Sequence, residues 1–295
     1  MRHTLLLAQE RLERDEFVQA LTILELGQKW ALTKPQFFTF GSQSNDPNPS
    51  TLEKIVLRQR DFAKCRIYHY QGDFLSASLI FTQLISNPAR SNACHRSLLS
   101  HHASTLIELG SPLEAEEILR QAIFSDQTAG KDLLVKIALA EALLHQKSFV
   151  AASDFCHEVG LTLETRLATN TDQNTRHSYL RILTVMARIS HLSGDFQTAR
   201  DLWNATLSTL TLLVRENGWE DEGMTQMVAF YSLADLEFKE SGLGAGKGEE
   251  YLARAKAIFM KKGRGPFGLT GLGSFWFNAL GVSVERSGAC RIDAD

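Results

Sequence analysis

The chain has 295 residues, 44% hydrophobic and 22% charged, enough to bury a substantial core in one large domain or two ordinary ones. A formal net charge of −3 argues against broad, salt-dependent binding to nucleic acid, which needs clustered Lys and Arg. No apolar run approaches the roughly 20 residues that span a bilayer, and residues 1–7, followed at once by Glu10, Glu13, Asp15 and Glu16, suit neither a secretory nor a mitochondrial leader.

The six prolines sit mostly at segment edges, which leaves long stretches free to be helical. Cys65, Cys94, Cys156 and Cys290 are far apart and form no CxxC pair, so neither a zinc ribbon nor a redox motif is suggested. They read as reduced, mostly buried thiols of a cytoplasmic or nuclear protein. Asn204-Ala205-Thr206 matches a glycosylation sequon, a chance match without a secretory route.

One phrase recurs along the chain: a small or polar turn, an aromatic, and an alanine three residues on. It first appears as Asp15-Glu16-Phe17 with Ala20. Residues 34–50 follow, with Pro35, Pro47, Pro49 and several Ser and Asn residues, and read as an inserted loop. Phe37, Phe38 and Phe40 inside it either tuck onto neighbouring helices or form a flap against a groove or partner. The phrase returns as Gly72-Asp73-Phe74 with Ala77, between Ile67 and Tyr68 on one side and Ile80, Phe81 and Leu84 on the other. Gly110-Ser111-Pro112 with Ala115 keeps the turn and the alanine without the aromatic, and Lys147-Ser148-Phe149 with Ala152 is a weaker copy. A polar connection covers 169–176. Gly194-Asp195-Phe196 with Ala199 follows, flanked by Leu183, Met186, Ala187 and Ile189 and by Leu202, Trp203 and Leu207.

Apolar residues at helical spacing on both sides of each phrase predict helix, tight turn, helix. Four residues after each alanine comes a larger side chain: Leu24, Phe81, Leu119, Cys156 and Trp203 follow Ala20, Ala77, Ala115, Ala152 and Ala199. Residues four apart share a helix face, so each alanine marks where the second helix presses on the first. A sixth unit has its first helix at 231–242 and its second at 249–262, with Ala255 and Phe259. Glycine-rich loops are expected at 242–248 and 263–273, and a last helix at 277–288. The run around Lys247 is not a phosphate loop, because Gly248 rather than Ser or Thr follows the lysine and a helix rather than a strand precedes it.

With a small residue in each first helix (Ala8, Cys65, Ala103, Ala140 and Ala187, with Asp235 in the sixth unit), a turn, an alanine and an aromatic, the chain resembles the tetratricopeptide repeat family. Leu280-Gly281 falls in that family's Leu-Gly position. Equivalent positions lie 57, 38, 37, 47, 48 and 46 residues apart, longer than the family's usual period of about 34. The resemblance implies an all-α, right-handed α-solenoid of about six degenerate hairpins plus a C-terminal capping helix, a single superhelical domain over 1–295. The first repeat opens in phase at Met1 with no matching N-terminal cap. Either the chain is an arm of a larger architecture or an oligomer contact covers that end.

No Ser-centred elbow, paired-acid constellation or HExxH motif occurs, and neither catalytic residue, cofactor nor metal is assigned. Cys94 and His101 share a helix face, but a structural zinc wants four ligands, so His95, His101 and His102 read as ordinary surface and core histidines. Glu116-Glu117 and Glu249-Glu250 lie near helix starts, where the macrodipole explains them. In the family the first helices line a concave face that binds peptides or helices. Carried onto this chain, that face comprises Gln9, Phe62, Arg66, His69, Ser104, Glu141, Arg188 and His191, with Ile137 and Thr184 alongside. Arg66/His69 and Arg188/His191 repeat one i, i+3 pairing that suits carboxylate or phosphate, unless acids such as Glu141 satisfy it internally. The lysine–asparagine clamp of chaperone-binding members is missing, since Leu5 and Gln9 hold its first positions.

The expected function is a non-catalytic scaffold or adaptor that holds a protein or peptide segment in the groove, as a subunit of a larger complex or a homo-oligomer. The alternative is a helical-repeat enzyme or small-ligand receptor with a closed pocket there.

Overall fold

The architecture of a hairpin stack is decided at its turns, because neither helix of a hairpin can bury its apolar stripe alone. The computed structural model describes residues 7, 17–33, 58, 60–69, 73–86, 92–125, 132–169, 173–217, 223–241 and 246–261, and every element among them is helical. Helix α1 spans Phe17–Thr33, α2 residues 60–69, α3 Phe74–Ser86 and α4 Asn92–Glu108. Helix α5 spans Pro112–Ser125, α6 Leu133–His145, α7 Phe149–Thr169 and α8 Gln173–Ser193. Helix α9 spans Phe196–Asn217, α10 Gly223–Ser241 and α11 Gly246–Lys261. Ala8, Gln9, Gly72, the loop at 34–50 with its three phenylalanines, the loop at 263–273 and the expected capping helix at 277–288 lie outside the described residues, as do the side chains of Cys94 and Phe259.

The recurring phrase is one piece of backbone geometry. Gly194 takes φ +86° and donates to the His191 carbonyl (3.3 Å), while Asp195 N–H reaches back to the Ser190 carbonyl (2.9 Å). These two bonds close α8 in a Schellman motif. Asp195 then opens α9: its carboxylate accepts from Thr198 N–H (3.2 Å), and its carbonyl accepts from Ala199 N–H (3.0 Å). The same residue ends one helix and caps the next, which leaves the chain no slack. Asp73 does likewise, donating to the Tyr68 carbonyl (2.9 Å) and accepting from Ser76 N–H (3.1 Å). Lys147-Ser148 repeats the closure with bonds to Leu144 and Leu143, each 2.9 Å, and Lys147 holds φ +60° where Gly110 and Gly194 stand in other turns.

The small-then-large pairing is borne out at every described position. Ala20, Ala77, Ala115, Ala152 and Ala199 are fully buried, and so are their partners Phe81, Leu119, Cys156 and Trp203, with Leu24 nearly so. Cys65, Ala103, Ala140, Ala187 and Asp235, the small positions of the first helices, are likewise closed off from solvent.

Backbone contacts divide the chain into two compact units, Met1–Leu109 and Gly110–Asp295. In the first, Cys65, Ala77, Phe81, Leu84 and Leu98 form one cluster, and Ala20 and Leu24 of α1 meet Ile67 in another. In the second, each helix from α5 to α11 packs on the next, and α6 also packs directly on α8. First helices of consecutive hairpins therefore lie side by side there. Trp203 fills the space between Ala187, Ala199, Val228 and Leu233.

Two helices begin earlier than periodicity indicates. Helix α8 takes in Gln173 to Arg176 of the expected polar connection, and Thr175 is buried there. Helix α10 starts at Gly223, eight residues before 231, because residues 227–236 are buried on all sides and show no helical stripe to read. Residues 246–248 of the glycine run wind into the first turn of α11. Among the described residues, no helix is long and apolar enough to cross a membrane.

Candidate partner-binding face

In the first unit the expected face falls on α2 and α4. The Phe62 ring lies edge-on to His101 (5.4 Å, 63°) and to Phe81 (6.4 Å, 67°). One turn past Arg66, His69 Nδ1 sits 3.0 Å from Thr105 Oγ1. Thr105 spends its single hydroxyl proton on the His101 carbonyl (3.0 Å), so its oxygen accepts from the Nδ1–H of His69. Phe62 and His69 thus pin α2 to α4, first helix to first helix. Arg66 lies between them, half-buried, with its Nε shut off from water and no hydrogen-bond or ion-pair partner among the described residues. Ser104 donates to the Ser100 carbonyl within its own helix (3.1 Å). The Cys65 thiol contacts the Phe62 carbonyl (3.1 Å), and burial pushes its pKa up to about 12, as it does for Cys156. Neither thiol is a nucleophile at neutral pH.

In the second unit the expected residues are interior. Glu141 is 1% exposed, Arg188 4% and His191 3%. Glu141 on α6 accepts a fork from Arg181 on α8, with Nε donating at 2.6 Å and a terminal nitrogen reaching the other oxygen. Burial pulls the His145 pKa down to about 4, helped by the Arg188 charge and opposed by Glu141. Farther along α8, His191 Nε2 lies 2.7 Å from Asp235 Oδ2 of α10, and Lys239 Nζ lies 2.5 Å from the same oxygen. An ionised carboxylate only accepts, so the Nε2–H of His191 donates. Burial keeps the His191 pKa below its ordinary value even though Asp235 pulls it up. Lys239 supplies the charge that balances a fully buried Asp235. These groups form a buried polar row along the first helices, with acids and bases turned on one another.

Of the eight residues assigned to the face, Gln9 lies outside the described residues. Phe62, Arg66, His69 and Ser104 gather on α2 and α4, and Glu141, Arg188 and His191 on α6 and α8. The sequence pattern points to neither Arg181 nor Lys239, and it marks Asp235 only as a small-position residue. Arg181, Thr184, Arg188 and His191 fall at i, i+3, i+7 and i+10, so extending the stripe one turn back reaches Arg181. Lys239 follows Asp235 at i+4. His101 stacks on Phe81 at 6.4 Å, and His102 lies tilted against the same ring at 5.8 Å. Among the described residues, no three His, Cys, Asp or Glu side chains gather as a metal site.

Hairpins closed by a shared cap, held by an alanine contact and joined first helix to first helix, define a helical-repeat protein of tetratricopeptide-like hairpins. The chain is similar to the crystal structure of a putative kinesin light chain with nearly identical TPR-like repeats from Podosopora anserina, at 18% identity over 70% of this chain and 96% of that one, with a TM-score of 0.45. No family model matches the sequence, and neither does any curated protein.

Proposed function

We propose that this chain is a non-catalytic scaffold or adaptor that holds a protein or peptide segment along the first helices of its hairpins. The observation that supports this most directly is the joining of first helix to first helix, α2 to α4 through Phe62 and His69, and α6 to α8 by packing. Within each unit, side-by-side first helices make a track, which is how stacked hairpins offer an extended partner a surface. In the second unit Glu141 is taken by Arg181, Asp235 by His191 and Lys239, and Glu141, Arg188 and His191 are closed to solvent, so recognition falls to the half-exposed α2–α4 face. The adaptor works in the cytoplasm or nucleus, where the buried thiols of Cys65 and Cys156 stay reduced.

The test is photocrosslinking. A photoreactive phenylalanine analogue replaces Phe62 on the first-helix face or Phe124, which is 92% exposed on the second helix α5. Partners trapped in cells are identified, purified and mixed again with each labelled chain. The adaptor reading expects crosslinks from position 62. A purified partner that crosslinks only from 124 would place recognition elsewhere.

A further inference from the structure

Resting on that reading, we infer that Arg66 receives a side-chain carboxylate, from Asp or Glu, of the bound segment. Among the described residues Arg66 has neither a hydrogen-bond nor an ion-pair partner. Its neighbours are spent: Arg58 donates to the Leu84 carbonyl (3.1 Å), and Arg60 pairs with Asp61. A guanidinium that has lost water at Nε without gaining an acceptor is a standing cost, since buried polar groups are almost always satisfied. The side chain is only half-buried, so its fork reaches solvent past the sealed Nε. An anion arriving there meets a partly desolvated cation, where attraction is stronger than at an open surface.

The charge count selects the anion. One guanidinium carries one positive charge and a planar pair of donors, which matches a carboxylate in both charge and geometry. A phosphate dianion calls for a second cation. The nearest lysine on the helix, Lys64, holds its ammonium over the Tyr68 ring at 5.6 Å, and His69 gives its Nδ1–H to Thr105. The backbone under Arg66 is fixed on both sides, because Phe62 and His69 are each anchored to α4. The fork is therefore presented in place rather than gathered on binding.

The test needs no natural partner. The full chain is labelled with 15N-arginine, and the Arg66 Nε–H resonance is identified by its loss in Arg66→Lys. It is titrated with acetyl-glutamate amide, its glutamine analogue, sodium chloride at matched ionic strength and inorganic phosphate. The expected result is a saturable shift with the glutamate probe, at least about tenfold tighter than with chloride, and no response to glutamine. A shift no larger than that from chloride, or saturation by phosphate at lower concentration than by glutamate, overturns the assignment. That failure leaves the adaptor reading intact, whereas crosslinks confined to position 124 beside a normal glutamate response sink the adaptor placement alone.

Discussion

His191 Nε2 lies 2.7 Å from Asp235 Oδ2, and this bond ties α8 to α10 at a point closed to water on both sides. Asp235 occupies the position that Cys65, Ala103, Ala140 and Ala187 fill in other first helices, and it is no larger than the site allows because its carboxylate is swallowed by partners. Removing it strands the Nε2–H of His191 and the ammonium of Lys239 together. Asp235→Ala is expected to cost about 3 kcal/mol, since half of a buried pair is worse than none. Asp235→Asn keeps an acceptor and loses less. Urea midpoints of the two variants check this, and an alanine variant within about 1 kcal/mol of the wild type would mean the pair is idle.

Acid should loosen the protein well before its carboxylates titrate. His102 and His145 are held neutral by burial, each with a pKa lowered from 6.5 to about 4. Between those values the unfolded chain takes up protons that the native chain refuses, so stability rises with pH. Their contribution is complete above pH 6.5 and is lost as pH falls toward 4. The slope in the middle of the window is about 1.4 kcal/mol per pH unit for each histidine. His102 contacts Ser78 Oγ through Nε2 (3.2 Å) and Phe81 through its ring face, so His102→Leu keeps the packing and removes the titration. Denaturation midpoints at pH 6.3 and pH 5 should differ less in that variant than in the wild type, the remainder coming from His145 and His191. An unchanged difference would assign the acid sensitivity elsewhere.

The parts legible in the sequence are those written within about ten residues of chain. Asp195, Gly194 and Ala199 act through backbone bonds to near neighbours, so the turn phrase carries its own geometry, and the copies at Asp73 and Ser148 repeat its long closing bond. The start of α10 was not legible, because Met227 to Leu236 are buried all round and leave no polar stripe to mark a period. The pairing of His191 with Asp235, 44 residues on, was beyond local pattern altogether. It depends on how one hairpin is staggered against the next, and the irregular repeat spacing hides that stagger. Arg66 stands between these cases: its type and face are readable, but that no acid among the described residues pairs with it emerges only from the folded chain.

Gly248 is a contact, not a hinge. A Cβ built there falls 2.6 Å from Phe238 Cε1 and 2.9 Å from Cδ1. Phe238 is buried in the cluster with Phe230, Tyr231 and Leu252, so its ring has little room to retreat. Gly248→Ala is expected to destabilise by about 1–3 kcal/mol despite alanine's better helix propensity, because overpacking outweighs it. Gly246→Ala, where the added methyl meets nothing, should be neutral or mildly stabilising. Thermal melts of the pair separate the two effects, and equal behaviour would contradict the close approach.

The turn at Lys147 should improve on losing its side chain. Lys147 sits at φ +60°, in the place where Gly110 and Gly194 take φ +79° and +86°. A Cβ in this region crowds the following carbonyl at a cost of about 1–2 kcal/mol. Lys147 is exposed, so its removal exposes no core. Glycine gives back part of the gain through its freer unfolded chain. The net expectation for Lys147→Gly is a stabilisation of about 0.5–1 kcal/mol, and for Gly194→Ala a loss of at least about 1 kcal/mol. Both bear on the same two backbone bonds, so opposite signs in the urea midpoints are the signature of a shared turn. A glycine at 147 that weakens the protein would mean the lysine side chain earns its strained backbone through a contact of its own.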